Sequence, residues 1–198
     1  MKEPNKRIEL TGISKAYGSN VVFDKFNCQI EEGAVTCVMG SSGQGKTTLL
    51  RMILGLEQPD SGHISGMSDK QKSVVFQEDR LCENLSAASN IRLVCNKSLK
   101  INSIIEAMSA LDLAPGCAKQ PVREMSGGQR RRVAILRALM AEYDVLFMDE
   151  PFKGLDTETK EKVMHYTREQ SRGKTVVLVT HDEAECAAMG GRIVCLHS

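Results

Sequence analysis

The chain has 198 residues, 41% of them apolar, which suffices for one sizeable domain and excludes a small scaffold that needs staples to fold. Its 26 Lys and Arg balance 25 Asp and Glu to a formal +1, so no global field draws the chain to nucleic acid or an acidic membrane. Seven cysteines, an odd number without C-x-x-C or metal-ligand spacing, read as reduced thiols of a cytosolic protein, mostly small core residues.

In chain order, the start "MKEPNKRIEL" has charge but no apolar segment, so no secretory signal is expected. "IELTGISKAYG" and "VVFDKFNCQI" alternate apolar and polar residues as half-buried antiparallel strands do. "AVTCVM", "KSVVFQ", "DVLFMDE", "KTVVLVT" and "GRIVCL" read instead as strands buried on both faces. Leu85 to Val94, Ile101 to Leu113 and Gln129 to Met140 carry helical spacing, the last with Val133, Leu136 and Met140 on one side. "EEG", "QPDSGH" and "APG" mark loops.

Strands alternating with helices predict a mostly parallel sheet, and the helical block predicts an inserted lobe. The expected organisation is one domain over 1–198: a core with a β subdomain at 1–81 and 141–198, and a helical lobe at 82–140. The longest apolar runs, such as "TVVLVT", fall far short of the roughly 20 residues that span a bilayer, so any spanning segment would belong to another chain. The chain stops 17 residues after His181, and no appended C-terminal domain is expected.

"VTCVMGSSGQGKTTLLRMILG" is a buried strand, a glycine-rich loop and a helix, and Gly40, Gly45, Lys46 and Thr47 satisfy G-x-x-x-x-G-K-[ST] in that context. The glycines let successive backbone N–H groups face a phosphate, and the helix start adds partial positive charge. Lys46 supplies a cation to the β- and γ-phosphates, and the Thr47 hydroxyl is placed for Mg²⁺. A nucleotide follows from this loop, but kinases, GTPases and ATPases share it.

"DVLFMDEP" ends a buried strand on Asp149 and Glu150, where ligands collect in an α/β sheet. Asp149 can hold Mg²⁺ and Glu150 can take a proton from water, the alternative being two carboxylates that cap the next segment. Gln77 and His181 also end strands and can orient water near a γ-phosphate; taken singly each is more often an ordinary strand-end residue, and their value comes from the set. Asp182 can cap "EAECAAM". Ser126, Gly127, Gly128 and Gln129 suit a second helix start that receives an anion. The run Arg130, Arg131, Arg132 and Arg137 is a nucleic-acid surface or a solvated helix face, and the near-neutral chain favours the second. Met52, Met108, Met140, Met148 and Met164 read as core filler.

The order Tyr17, "GSSGQGKTT", Gln77, "MSGGQ", "VLFMDEP", "GLD" and His181 resembles the nucleotide-binding subunit of an ATP-binding cassette (ABC) transporter over essentially the whole chain. The resemblance implies the α/β P-loop NTPase fold of ABC ATPases: a RecA-like core, an antiparallel β subdomain and an inserted helical subdomain. It implies that Tyr17 stacks on adenine, where the local reading is a turn aromatic packed on the sheet. It assigns Gly40, Ser41, Ser42, Gly43, Gln44, Gly45, Lys46, Thr47 and Thr48 to the triphosphate and Mg²⁺. Gln77 and Asp149 complete the metal and water shell with Thr47. Glu150 becomes the general base, and Lys46, Gln77 and His181 complete the catalytic set. Asp156 looks like the residue that reaches a partner cassette, and it also suits a helix N-cap. Two cassettes pack head to tail in this family, so Ser126, Gly127, Gly128 and Gln129 of one cover the phosphate held on Lys46 of the other.

The partners implied are a second cassette, identical or different, and a membrane-spanning subunit, with a solute-binding protein if the system imports; no nucleic acid is expected. The implied location is the cytoplasmic face of the membrane. "FQEDRL" is similar to the pattern in importers of sulfonates, nitrate and related small solutes. Met125 stands where the family usually has leucine, a swap that conserves volume. The helical lobe is short, and the extension that many importer subunits carry is not expected. The competing class is a soluble ABC ATPase acting as a clamp or scaffold in iron–sulfur assembly, translation or nucleic-acid maintenance.

Overall fold

The computed structural model describes residues 7–41 and 43–196. Residues 1–6, where the absent signal segment was read, and Ser42 lie outside them.

The first two strands, β1 (Arg7–Tyr17) and β2 (Asn20–Glu31), pair antiparallel with Leu10 opposite Cys28 and Tyr17 opposite Asn20. Their alternation buries Ile8, Leu10, Ile13 and Ile30 on one face, as the period-two pattern requires. β3 (Val35–Met39) leads into α1 (Lys46–Leu54). A further strand, β4 (Ser61–Ser65), pairs with the other edge of β1, Leu10 opposite Ile64. It lies partly in "QPDSGH", read above as loop. Ile64 is its one large apolar residue, so no alternation announced it. Gly62 sits at φ +87° so close to the carbonyls of Thr11 and Gly12 that no side chain fits there.

The second sheet is parallel, with β5 (Lys72–Val75), β6 (Val145–Asp149), β7 (Thr175–Val179) and β8 (Arg192–Cys195) joining β3 in the order β5-β6-β7-β3-β8. β6 and β7 are buried at every position. β8 corrects the expectation of a strand covered on both faces. It is an edge strand, with Arg192, Ile193 and Cys195 exposed. β5, the other edge, buries Ser73 and Val75 while Lys72 is exposed and Val74 half-buried.

Three helices fill the stretch between β5 and β6: α2 (Ala87–Arg92), α3 (Ile101–Ala110) and α4 (Gly127–Leu139). α5 (Thr157–Gln170) and α6 (Glu183–Met189) flank β7. Caps move the ends away from the expected limits. Ser86 accepts from the Ser89 N–H and delays α2, whereas Ser126 starts α4 two residues before Gln129. "APG" opens a 3-10 turn, Pro115–Lys119.

The parallel sheet separates two apolar layers. On one face Val38, Phe147 and Val177 pack with Leu49 and Ile53 of α1 and the antiparallel sheet. On the other, Leu146, Met148 and Leu178 share one cluster with Ile91, Ile104, Val133, Leu136 and Val163. Met52, Met108, Met148 and Met164 are buried and Met140 is half-buried. All seven cysteines are free, and Cys28, Cys37, Cys117 and Cys186 are buried.

Candidate functional site

The site lies beyond the carboxyl ends of β3, β6 and β7, where a doubly wound sheet opens a crevice. The loop from β3 to α1 turns through Gly43 and Gly45 at φ +84° and +83°. At Gly45 a Cβ would collide with Val22 Cγ1 and Phe23 Cζ of β2, so only glycine fits. Lys46 is buried, and its Nζ donates to the carbonyls of Gly40 (2.7 Å) and Ser41 (2.8 Å). The Ser41 N–H donates to Gln44 Oε1 at 2.6 Å. The loop thus curls around the end of its own cation. No side chain caps the start of α1, which leaves its first N–H groups for an acceptor from outside.

Thr47 Oγ1 donates to Asp149 Oδ2 at 3.0 Å, joining the start of α1 to the end of β6. Burial pushes the Asp149 carboxyl up, opposed by the Thr47 hydrogen bond. A buried carboxylate beside a hydroxyl is a pair of hard oxygen donors, and the donor set fits Mg²⁺.

Glu150 adopts φ +44°, a left-handed conformation that costs an ordinary residue about 1–2 kcal/mol. Its N–H donates to the Val179 carbonyl at 2.9 Å. Lys153 Nζ lies 2.9 Å from Oε2, and His181 Nδ1 lies 3.4 Å from Oε1. Burial works against the Glu150 charge, yet Lys153 and then His181 hold the carboxyl below the usual range. His181 stands largely in solvent. Behind it, Lys160 Nζ meets Asp182 Oδ2 (2.7 Å) and Glu185 Oε1 (2.6 Å), and Thr180 Oγ1 donates to Glu185 Oε2 (2.6 Å). That partly buried network, with Thr180 and Glu185 buried and Lys160 and Asp182 half-buried, ties α5 and α6 to the strand end that carries His181. Asp182 caps α6 through the Ala184 N–H at 2.9 Å, as read from the sequence.

A cleft of about 340 Å³ collects Tyr17, Gly43, Gly45, Lys46, Thr47, Thr48, Gln77, Asp149, Glu150 and Lys153. Tyr17 stands at its rim, half exposed, with its hydroxyl bonded to Glu57. Its ring is open to the cleft and not packed against the sheet interior, which suits stacking on a flat ligand. Gln77 is exposed, two residues beyond β5. Ser42 lies outside the described residues.

Ser126, Gly127, Gly128, Gln129 and Asp156 do not line this cleft. Ser126 caps α4 in a reciprocal box: Gln129 N–H donates to Ser126 Oγ (3.2 Å), and Ser126 N–H donates to Gln129 Oε1 (2.9 Å). Gly127 is exposed, and Gly128 sits next to Leu155. Asp156 caps α5 through the Thr159 N–H at 3.0 Å, the local role expected for it.

The basic run is not a solvated face. Arg131 is buried and donates to six oxygens, among them the carbonyls of Asp149, Glu150 and Pro151. Arg132 donates to the carbonyls of Gly128, Leu111 and Asp112, and Arg137 to those of Asp79 and Arg80. The helical period held the signal, since Arg131 shares a face with the buried Ala134, Ile135 and Ala138. Lys153 was also missed. A lone lysine three residues after Glu150 carries no pattern.

The family model described as "ABC transporter" matches residues 23–153. An aliphatic sulfonates import ATP-binding protein of Rhizobium johnstonii is 37% identical over 201 residues, covering 96% of this chain and 73% of the relative. An Fe(3+) ions import ATP-binding protein of Pasteurella multocida is 34% identical over 209 residues, covering 98% of this chain. This chain spans only 60% of that relative's length. Among solved structures, the dimeric bacterial ABC transporter cassette MJ0796 superposes with a TM-score of 0.82 at 30% identity, covering 96% of this chain and 94% of that one.

Proposed function

The chain belongs to the ABC transporter family, and from that premise we propose that it binds and hydrolyses ATP in the cleft beyond β3, β6 and β7. The observation that carries this reading is the convergence of Glu150 and the Thr47–Asp149 pair on the cleft that holds Lys46, with His181 beside Glu150 and outside the cleft lining. Tyr17 takes the adenine face. The glycine loop and the open start of α1 take the phosphates, an assignment that includes Ser42 on its place in the sequence motif alone, while Lys46 exchanges its carbonyl partners for phosphate oxygens. Thr47, Asp149 and Gln77 hold Mg²⁺, which when bound draws charge from the phosphate oxygens. Glu150 takes the proton of the attacking water, and His181 contacts the γ-phosphate.

Ser126, Gly127, Gly128 and Gln129, outside the cleft, act on the nucleotide of a second cassette, and Asp156 reaches toward that same partner. MJ0796 was solved as a dimer, which supports the pairing. Closing with ATP and opening after cleavage give two states that a membrane-spanning subunit can use. Among the described residues no helix is long and apolar enough to cross a membrane. In this reading the spanning subunit is a separate chain, and this one sits against it at the cytoplasmic face. Both relatives named above are import proteins, which supports import and, with it, a solute-binding protein. The two relatives are named for different solutes, Fe(3+) ions and aliphatic sulfonates, at nearly equal identity to this chain.

With Mg²⁺ and ATP the purified protein releases phosphate; a folded sample with no release above a blank would remove the enzymatic reading. Glu150→Gln retains ATP, slows cleavage by about 10²–10⁴-fold and accumulates a closed dimer on size exclusion. A persistent monomer in that variant would remove the two-cassette mechanism.

A further inference from the structure

Arg131 is charged, buried and placed between the two segments that deliver Gln77 and Glu150. Its Nε donates to the Pro151 carbonyl (2.7 Å), and Nη2 donates to the carbonyls of Asp149 (3.1 Å) and Glu150 (2.7 Å). Three consecutive carbonyls therefore face one guanidinium. Nη1 turns to the other segment, donating to the carbonyls of Phe76 (2.7 Å) and Gln77 (3.2 Å) and to Asp79 Oδ1 (3.2 Å).

A planar fork with five N–H donors can serve two backbone segments at once, whereas an ammonium offers three donors from one point. Charge-assisted bonds of this length are strong, and breaking them strands buried carbonyls. The gripped residue Glu150 is the one held at φ +44°, a conformation that persists only where its surroundings enforce it. Arg131 lies one helical turn and a half beyond Ser126, on α4. A shift of that helix moves the guanidinium, and with it both carbonyl sets.

We infer that Arg131 is a positioning residue that locks the backbones of Gln77 and Glu150 in register with α4, so that contact at the Ser126 end of the helix reaches the hydrolytic centre. This rests on the ATPase reading above. Arg131 touches neither the nucleotide nor the water; it sets where Glu150 and Gln77 stand.

The test compares Arg131→Lys with Ile104→Ala, which truncates a fully buried side chain of α3, outside residues 76–80 and 149–153, and lowers stability. Arg131→Lys should lower kcat at least about tenfold while the KM for ATP stays within about twofold. Hydrogen exchange in residues 76–80 and 149–153 should rise at least about tenfold, and Ile104→Ala should show neither change. Unchanged kcat and exchange in Arg131→Lys would overturn the assignment, as would equal changes in Ile104→Ala at a similar melting temperature. Should Arg131→Lys not fold, Arg131→Gln replaces it, and failure of both while Ile104→Ala folds would reduce Arg131 to a folding role. Without hydrolysis by the parent chain the ATPase reading fails, while the exchange data still decide what Arg131 holds.

Discussion

Two helices begin with glycine-rich turns that invite an anion, and they are finished differently. α1 follows Gly45 with no side-chain cap, and its cation Lys46 waits on loop carbonyls. α4 follows Ser126 with two reciprocal side-chain bonds already made, so only the N–H groups of Gly127 and Gly128 are left to give. The first start is an incomplete coordination shell, and a phosphate completes it. The second is stable as it stands, has no lysine of its own, and offers two donors. That difference matches a site that binds alone and a site that adds to a phosphate held by another molecule.

Breaking the first start has the largest effect. Lys46→Ala should lose ATP binding and phosphate release together, turnover falling on the order of a hundredfold or more. Phosphate release equal to the parent chain would contradict the role given to Lys46. Ser126→Arg should separate the two starts: turnover falls by about the same factor, while ATP affinity, read by titration with a fluorescent analogue, stays within about twofold. Loss of both together would make the α4 start a support for folding. The smallest change sharpens the contrast. Ser126→Ala removes the cap and should cost about 1 kcal/mol, a fall in melting temperature of roughly 2–4 °C for a chain of this size. Removing a side chain at the α1 start has no such effect to show, because none caps it.

The residues of the candidate site were legible because their chemistry sits at strand ends in fixed spacing. Gly45, Lys46 and Thr47 follow β3, Glu150 follows β6, and His181 lies just past β7. Elements without a pattern were not legible. β4 has one large apolar residue and is held by the edge of β1, a long-range fact with no local trace. β8 has the composition of a central strand but lies at the sheet edge, since order in the sheet is set by the crossovers and not by the strand itself. Arg131 was misread because its charge was weighed above its position on the helix. Burial there is permitted by carbonyls from two distant loops, and no window of sequence contains all three.

Gly45 faces Val22 and Phe23, two residues of a different sheet. The antiparallel hairpin is therefore a mould against which the phosphate loop is cast. Its shape is held from outside as well as by its own glycines, so the nucleotide pocket inherits the tolerances of β2. Val22 also lines the cleft, so a larger or smaller side chain at position 22 should change ATP affinity from a strand that carries no signature residue.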